Sequence, residues 1–345
     1  MTSIRATSGL KRPTQTAPHS GEQERGRRRG SPWAGLGTVF AKELADHLGS
    51  VRMRVLEILI LLIGLGAVYT AIQNIKTVTA EDPFLFLRLF TNAQQPLPSF
   101  AGLLSFLIPI FAIGLGFDSI NTEFSRRTLS RILAQPIYRD ALLFGKFLAG
   151  LVTLAVGLVA LWLLMVGLGL LLIGVPPSGE EVLRSVAFLT VALAYAATWL
   201  AAAMLFSVLF RSPATSALCA LGLWMLLGVL WPIVAPFIAR AVVAPDPASI
   251  MLGLPDPKEL VMESVIARVS PGTLFGEAAT AILHPATRTL GLIYESQVEG
   301  ALMGAPLPLG QSLLLVWPQI TGLIAAAILL FAAAYVAFQR QEIRA

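Results

Sequence analysis

Charge is scarce in this chain. Asp, Glu, Lys and Arg make up 13% of its 345 residues, about half the roughly 25% of soluble domains. Because 56% of the residues are hydrophobic, an ordinary water-soluble domain is excluded and an integral membrane protein is indicated. Cysteine is almost absent. Cys219 stands alone inside an apolar run, which rules out an intramolecular disulfide or a cysteine-based metal site and leaves the redox compartment undetermined. His19, His47 and His284 are the only histidines and form no H-E-x-x-H pair, so no metal site is expected. Neither a G-x-x-x-x-G-K-[ST] phosphate loop nor a G-x-S-x-G nucleophile elbow occurs. The chain is therefore expected to be non-catalytic and to hold no cofactor of its own. The net charge of +5 calls for no nucleic acid, because the positive residues gather in the first residues and in loops of the kind that set membrane orientation.

What is abundant is apolar sequence in long runs, at about 55–75, 100–117, 141–174, 182–210, 213–239 and 311–338. Each is close to or above the roughly 20 residues that cross a bilayer. The expected fold is an all-α integral membrane protein with six transmembrane helices, forming one domain over 33–345. Glu57, Asp118, Lys146 and Arg184 are placed near span ends, and so no proton relay at membrane depth is expected. Small-residue tracts at 166–174 and 193–204 permit close helix packing and say nothing of a ligand.

Residues 1–32 are rich in Arg, Gly, Ser, Thr and Pro, with GRRRG at 26–30. They read as a disordered basic cytoplasmic tail rather than a cleavable signal peptide. The GRRRG run reads either as a contact to anionic membrane lipid or as a solvated topology determinant. Over 33–51 an interfacial helix is expected, since Trp33, Leu36, Phe40, Leu44, Leu48 and Val51 share one stripe away from Lys42 and Asp46. Lys42, Arg52, Arg54, the basic residues of 126–146, Arg211, Arg340 and Arg344 fall on one side of the spans, against Lys76, Arg88 and Arg184 on the other. Both termini are therefore expected in the cytoplasm of a multi-pass protein of the cell (inner or plasma) membrane.

Between the second and third runs lies FDSINTEFSRRTLSRILAQPIYRDALLFGK, residues 117–146. At ~100° per residue, Phe124, Thr128, Leu129, Ile132 and Leu133 occupy one half of a helix and Arg126, Arg127, Ser130 and Arg131 the other. Pro136 ends it. This amphipathic cytoplasmic helix, within a loop at 120–140, reads as a docking surface. Asp118 and Glu123 are read as capping and ion-pairing groups around Arg126 and Arg127 rather than catalytic carboxylates. The connection at 240–310 falls outside the membrane and is mildly acidic. Its pieces at about 258–269 and 272–284 read as short helices split at Ser270-Pro271-Gly272. The second is apolar enough to re-enter the membrane edge against protein or to lie on the surface.

These residues carry a resemblance. FAKELADHL at 40–48, Glu123, Thr128-Leu129, Pro136, Arg139 and Gly145-Lys146 resemble the pattern of membrane subunits of ATP-binding-cassette transporters of the type-2 permease superfamily. Among them the chain looks most like the nitrous-oxide-reductase, or multi-copper-enzyme, maturation permeases. Where that family has Gly before Thr-Leu, this chain has Arg127. The resemblance implies a coupling helix, Glu123 to Ala134, seated in a cleft of a separate ATPase subunit, with Glu123, Phe124, Arg126, Arg127, Thr128, Leu129, Arg131, Pro136 and Arg139 at the contact. ATP and Mg would be held by that ATPase, and a second permease copy would complete a homodimer. An extracytoplasmic gate or protein-partner platform would involve Ser270, Pro271, Phe275 and Glu277. Export of a substrate is one expectation and mechanical work on an outer partner a second. An intramembrane enzyme and a membrane scaffold are alternatives of another class. The interior positions are generic Leu, Ala, Val and Gly and name no cargo.

Overall fold

A computed structural model describes residues 33, 35–75, 84, 86–91, 99–125, 138–174, 176–244, 246, 249, 251, 256–288, 290 and 306–341. Among the described residues all regular structure is helical. The helices are α1 (Leu36–Gly49), α2 (Val51–Ile75), α3 (Arg88–Thr91), α4 (Phe100–Gly116), α5 (Asn121–Ser125), α6 (Arg139–Ile173) and α7 (Gly179–Leu209). They continue with α8 (Pro213–Val242), α9 (Pro257–Ala267), α10 (Pro271–Leu283) and α11 (Leu309–Arg340). Five described helical stretches are long and apolar enough to cross a membrane, namely Phe100–Ser125, Arg139–Leu171, Gly179–Leu209, Pro213–Val242 and Leu309–Arg340. The run expected at 55–75 is helical as well, over Val51–Ile75.

The bundle is built around α7. Its Phe188, Tyr195, Trp199 and Leu200 are almost fully buried, with α4, α6, α8, α10 and α11 packed around it. Small residues let the neighbours approach: Ala192, Ala196 and Ala201 to Ala203 are buried on α7. A Cβ added to Gly116 of α4 would lie 2.8 Å from the Cβ of Ala203. In a membrane, where apolar surface is no more at home against protein than against lipid, such close contact supplies the dispersion that holds helices together.

α8 is interrupted by a π-helical turn at Met225–Leu230, where the Trp231 N–H donates to the Leu226 carbonyl five residues back. Pro232 follows and has no N–H to give, so the wider turn accommodates a missing rung.

Several placements differ from the sequence reading. The interfacial helix spans Leu36–Gly49 rather than 33–51. Gly35 at φ 90° precedes it and Ser50, extended at ψ 146°, ends it, while the Ser50 Oγ accepts from the Met53 N–H at 3.0 Å to start α2. Its inward face also differs, since the buried residue is Val39 and Trp33 and Leu48 of the expected stripe are exposed. At 240–310, Arg240 belongs to the last turn of α8 and pairs with Glu259 of α9 at 2.6 Å.

The helix expected at 272–284 is α10, and it lies within the bundle rather than on its surface. Phe275, Ala278, Ala281 and Ile282 are fully buried, with Phe275 stacked on Tyr195 at 4.7 Å between ring centroids.

Candidate coupling site

The segment that leaves α4 is tied down before it reaches the basic stretch. Ser207, near the end of α7, accepts from the Ile120 N–H at 2.9 Å and the Asn121 N–H at 3.3 Å. Buried Asn121 donates its side-chain amide to the Phe117 carbonyl at 3.1 Å. Ser125 Oγ donates to the Asn121 carbonyl at 2.9 Å and lies 3.2 Å from the Arg211 carbonyl. These bonds satisfy main-chain groups that the turn between α4 and α5 would otherwise leave open, and they fix where Glu123 points.

Glu123 meets Lys146. The Lys146 ammonium lies 2.8 Å from Glu123 Oε1 and 2.9 Å from Glu43 Oε1, with only 5% of its side chain exposed. One cation thus joins α5, α6 and the interfacial helix α1. Sequence reading pairs Glu123 with Arg126 and Arg127, which lie outside the described residues; the structure adds Lys146, near the start of a long span, as a partner. Gly145 explains how the dipeptide works. A Cβ there would stand 2.7 Å from Val39 Cγ1, so glycine lets α1 lie directly on α6 while the next residue reaches both carboxylates.

Around this bracket the charges of α1 continue outward, with Lys42 3.1 Å from Glu43 and 3.0 Å from Asp46. Burial disfavours the charged form of Glu43, but the Lys146 ammonium, by charge and hydrogen bond, and then Lys42 outweigh it and hold the carboxyl below its ordinary range. Burial pushes His47 down, with Glu43 opposing only in part. Both groups therefore stabilise the docked α1 in their deprotonated forms. A native state that binds fewer protons than the unfolded chain loses stability on acidification. The loss should begin below pH 6.5, the ordinary value for histidine, and deepen below 4.5 as Glu43 approaches its depressed value. Thermal midpoints of the purified chain between pH 7.5 and 4 check this: His47→Gln should flatten the upper part of the profile only.

The far side of the basic stretch is anchored as well. The Arg139 guanidinium donates to the Gln341 carbonyl at 3.1 Å, the Gln339 amide donates to Asp140, and the Gln341 amide donates to the Val208 carbonyl at 2.5 Å. The end of α11 is thus tied to the start of α6 and the end of α7. Of the residues expected at the contact, Glu123, Phe124 and Arg139 are among the described residues, with Phe124 packed against the core. Arg126, Arg127, Thr128, Leu129, Arg131 and Pro136 lie outside the described residues.

A packing prediction arises from Gly145. Substitution by Ala forces Val39 to give way and should destabilise α1 docking by about 1–3 kcal/mol. The companion change Val39→Ala should recover part of that loss, read as a non-additive pair in a double-mutant cycle.

At the opposite end of the bundle, Ser270 caps α10, accepting from the Gly272 and Thr273 N–H groups at 3.1 and 3.4 Å, with Pro271 in the first turn. Glu277 accepts from Arg268 Nε at 2.9 Å and from the Gln319 amide at 2.7 Å. The four residues expected at the outer gate thus cluster at and within one helix, α10. Sequence reasoning missed the burial of Arg184, placed near a span end, which is fully buried in α7. It pairs with Glu180 at 2.9 Å and donates to the Ile282 carbonyl at 2.9 Å, to Ser312 Oγ at 3.2 Å and to the Leu307 carbonyl. A lone cation inside an apolar helix was the signal available, as it was for Lys146.

The geometry is that of a helical bundle in which the described residues on either side of 126–137 are bonded to long helices. A family model described as ABC-2 family transporter protein matches residues 37–343. The chain belongs to the ABC-2 transporter family. Among curated proteins it is 30% identical over 119 residues to the probable ABC transporter permease protein NosY of Pseudomonas aeruginosa, a stretch covering 34% of this chain. The matched stretch covers 40% of that relative's length. As a member of the ABC-2 family with several helices able to span a membrane, the protein is a multi-pass membrane protein of the transporter permease type.

Proposed function

We propose that this chain is the membrane permease subunit of an ATP-binding-cassette transporter, exporting a substrate with energy from a separate ATPase subunit that holds ATP and Mg. In this reading six helices span the membrane, with Val51–Ile75 as the first, and both termini face the cytoplasm. The basic stretch after Ser125 is the coupling helix seated on the ATPase, and two permease copies pair as a homodimer.

The observation that carries the reading is the bracket of Glu43, Lys146 and Glu123. A partner pressing on a loosely held loop would move only the loop. Here the start of the segment is bonded to α6 and α1 and its end to α11, so a push becomes a movement of whole helices.

Reversing the charge of Glu123 with Glu123→Lys tests it. The purified chain alone should hydrolyse no ATP, and in the assembled complex the variant should lower ATPase activity by at least about tenfold, the scale of one lost buried pairing. Unchanged activity with unchanged assembly would reject the coupling assignment.

A second reading, mechanical work on an extracytoplasmic protein, is favoured by α9. Its Val261 and Val265, and Val269 just beyond it, are 64%, 55% and 59% exposed and repeat every four residues along one face. Co-purification of an outer partner, lost with Val265→Asp, would support it.

A further inference from the structure

On the flank of the bundle away from α8, the helices α6, α7 and α11 enclose an open groove of about 770 Å³. That lies within the roughly 300–1,000 Å³ of small-molecule sites. Its mouth is set by Trp33, Asp140 and Tyr335, and it runs inward past Phe331 to Ala197 and Ile324. From Tyr335 to Ile324 the wall of α11 extends roughly 16 Å at 1.5 Å per residue, about half of the ~30 Å hydrocarbon core. The groove is therefore one leaflet deep. Alanines on α7 leave the space, and Phe331, packed on Phe147 at 4.6 Å, holds the wall on the α6 side.

The mouth is chemically distinct from the rest. Among the described residues, Asp140 is the only charged side chain lining the groove, held in place by the Gln339 amide. Arg139 beside it is turned to the carbonyls of Gln339 and Gln341, and neither it nor Arg340 lines the groove. Tyr and Trp are the residues that settle at the level of lipid headgroups, and their ring faces attract an ammonium group. A carboxylate that shares the mouth with Trp33 and is hydrogen-bonded with the Tyr335 hydroxyl, above a slot one acyl chain long, selects an amphiphile with a cationic nitrogen in its head.

We propose that this groove is a binding site for a phospholipid with a primary ammonium head, its ammonium at Asp140 and one acyl chain along α11. The occupant is drawn from the surrounding leaflet, the inner one in the orientation proposed above. Its binding does not depend on the transport reading.

The test is native mass spectrometry of the full chain released from nanodiscs of equal parts phosphatidylethanolamine and phosphatidylglycerol. Wild type should retain the ethanolamine lipid over the glycerol lipid by about tenfold, the scale of one partly desolvated charge contact. Asp140→Asn should still hold lipid with that preference lost, and Ala197→Phe, which fills the slot, should hold neither. If the added bulk on α7 prevents folding, Ala332→Phe on the facing helix fills the same space. Equal retention of the two lipids, an unchanged preference in Asp140→Asn, or lipid still held by a folded filled variant would each overturn the site. Asp140 also accepts from Gln339 at the anchor of the coupling segment, so the slot-filling variants separate the two readings, and loss of ATPase coupling in Glu123→Lys would leave this site untouched.

Discussion

Lys146→Met is expected to be the most damaging single substitution in the lower half of the bundle. The ammonium is 5% exposed and sits between the carboxylates of Glu43 and Glu123, whose side chains are 12% and 14% exposed. Removing it leaves two partly buried like charges facing one vacated position. Breaking a buried ion pair from one side costs roughly 3–5 kcal/mol, because the stranded charges keep their desolvation penalty. The thermal midpoint of the purified chain should fall by several degrees, and protease should cut α1 sooner than in wild type. Lys146→Arg should behave far better, since a guanidinium keeps the charge, although its planar fork does not reproduce the compact ammonium. The change should also loosen α1 without disturbing α10, because α1 packs on α6 and α2 while α10 packs on α4, α7 and α11.

Arg184→Met is the matching experiment at the other end. One guanidinium there serves Glu180, the Ile282 and Leu307 carbonyls and Ser312 Oγ, so it fastens the end of α10 and the start of α11 to α7. Methionine fills much of the volume but donates nothing, leaving two carbonyls at the buried end of α10 and the start of α11 without their donor. Buried groups stranded in this way cost about 1–3 kcal/mol each, and a total near 3–5 kcal/mol is expected. Hydrogen exchange should localise the effect, with faster exchange over Pro271–Leu283 and the first turns of α11 and none over α1. Arg184→Lys should recover only part, since an ammonium at that reach cannot meet acceptors spread over a planar fork.

The two cations also mark where sequence reading succeeds and where it stops. Long apolar runs announce helices, and those expected at 141–174 and 311–338 are found at Arg139–Ile173 and Leu309–Arg340. Ser178 and Glu181 form a capping box that starts α7 at Gly179, ahead of where the apolar run alone would place it. Polar capping residues open a helix before its hydrophobic stripe begins. Lys146 and Arg184 are legible as charges and count toward orientation. Their burial is not legible, because burial depends on which distant carboxylate or carbonyl the fold brings near. Glu43 and Lys146 lie far apart in the chain, and nothing local reports that they meet. The same reason hides the placement of α10. A short apolar helix has a similar pattern whether it lies on a membrane surface or packs against Tyr195, and only the contact decides. The residues of the expected coupling helix from Arg126 to Pro136 lie outside the described residues, so their roles rest on the sequence pattern.

The central claim is that work done on the coupling segment passes into the bundle through the bracket of Glu43, Lys146 and Glu123. Neutralising all three groups at once separates transmission from folding. Replacing a buried ionic cluster by neutral groups of similar size is often neutral for stability or better, so Glu43→Gln, Lys146→Met and Glu123→Gln combined should fold and assemble with the ATPase where Lys146→Met alone is weakened. The decisive measurement is the ATPase rate of that assembled triple variant beside wild type. A rate at least about tenfold below wild type, with stability restored, is the predicted result; a wild-type rate in the stable triple variant would contradict the account.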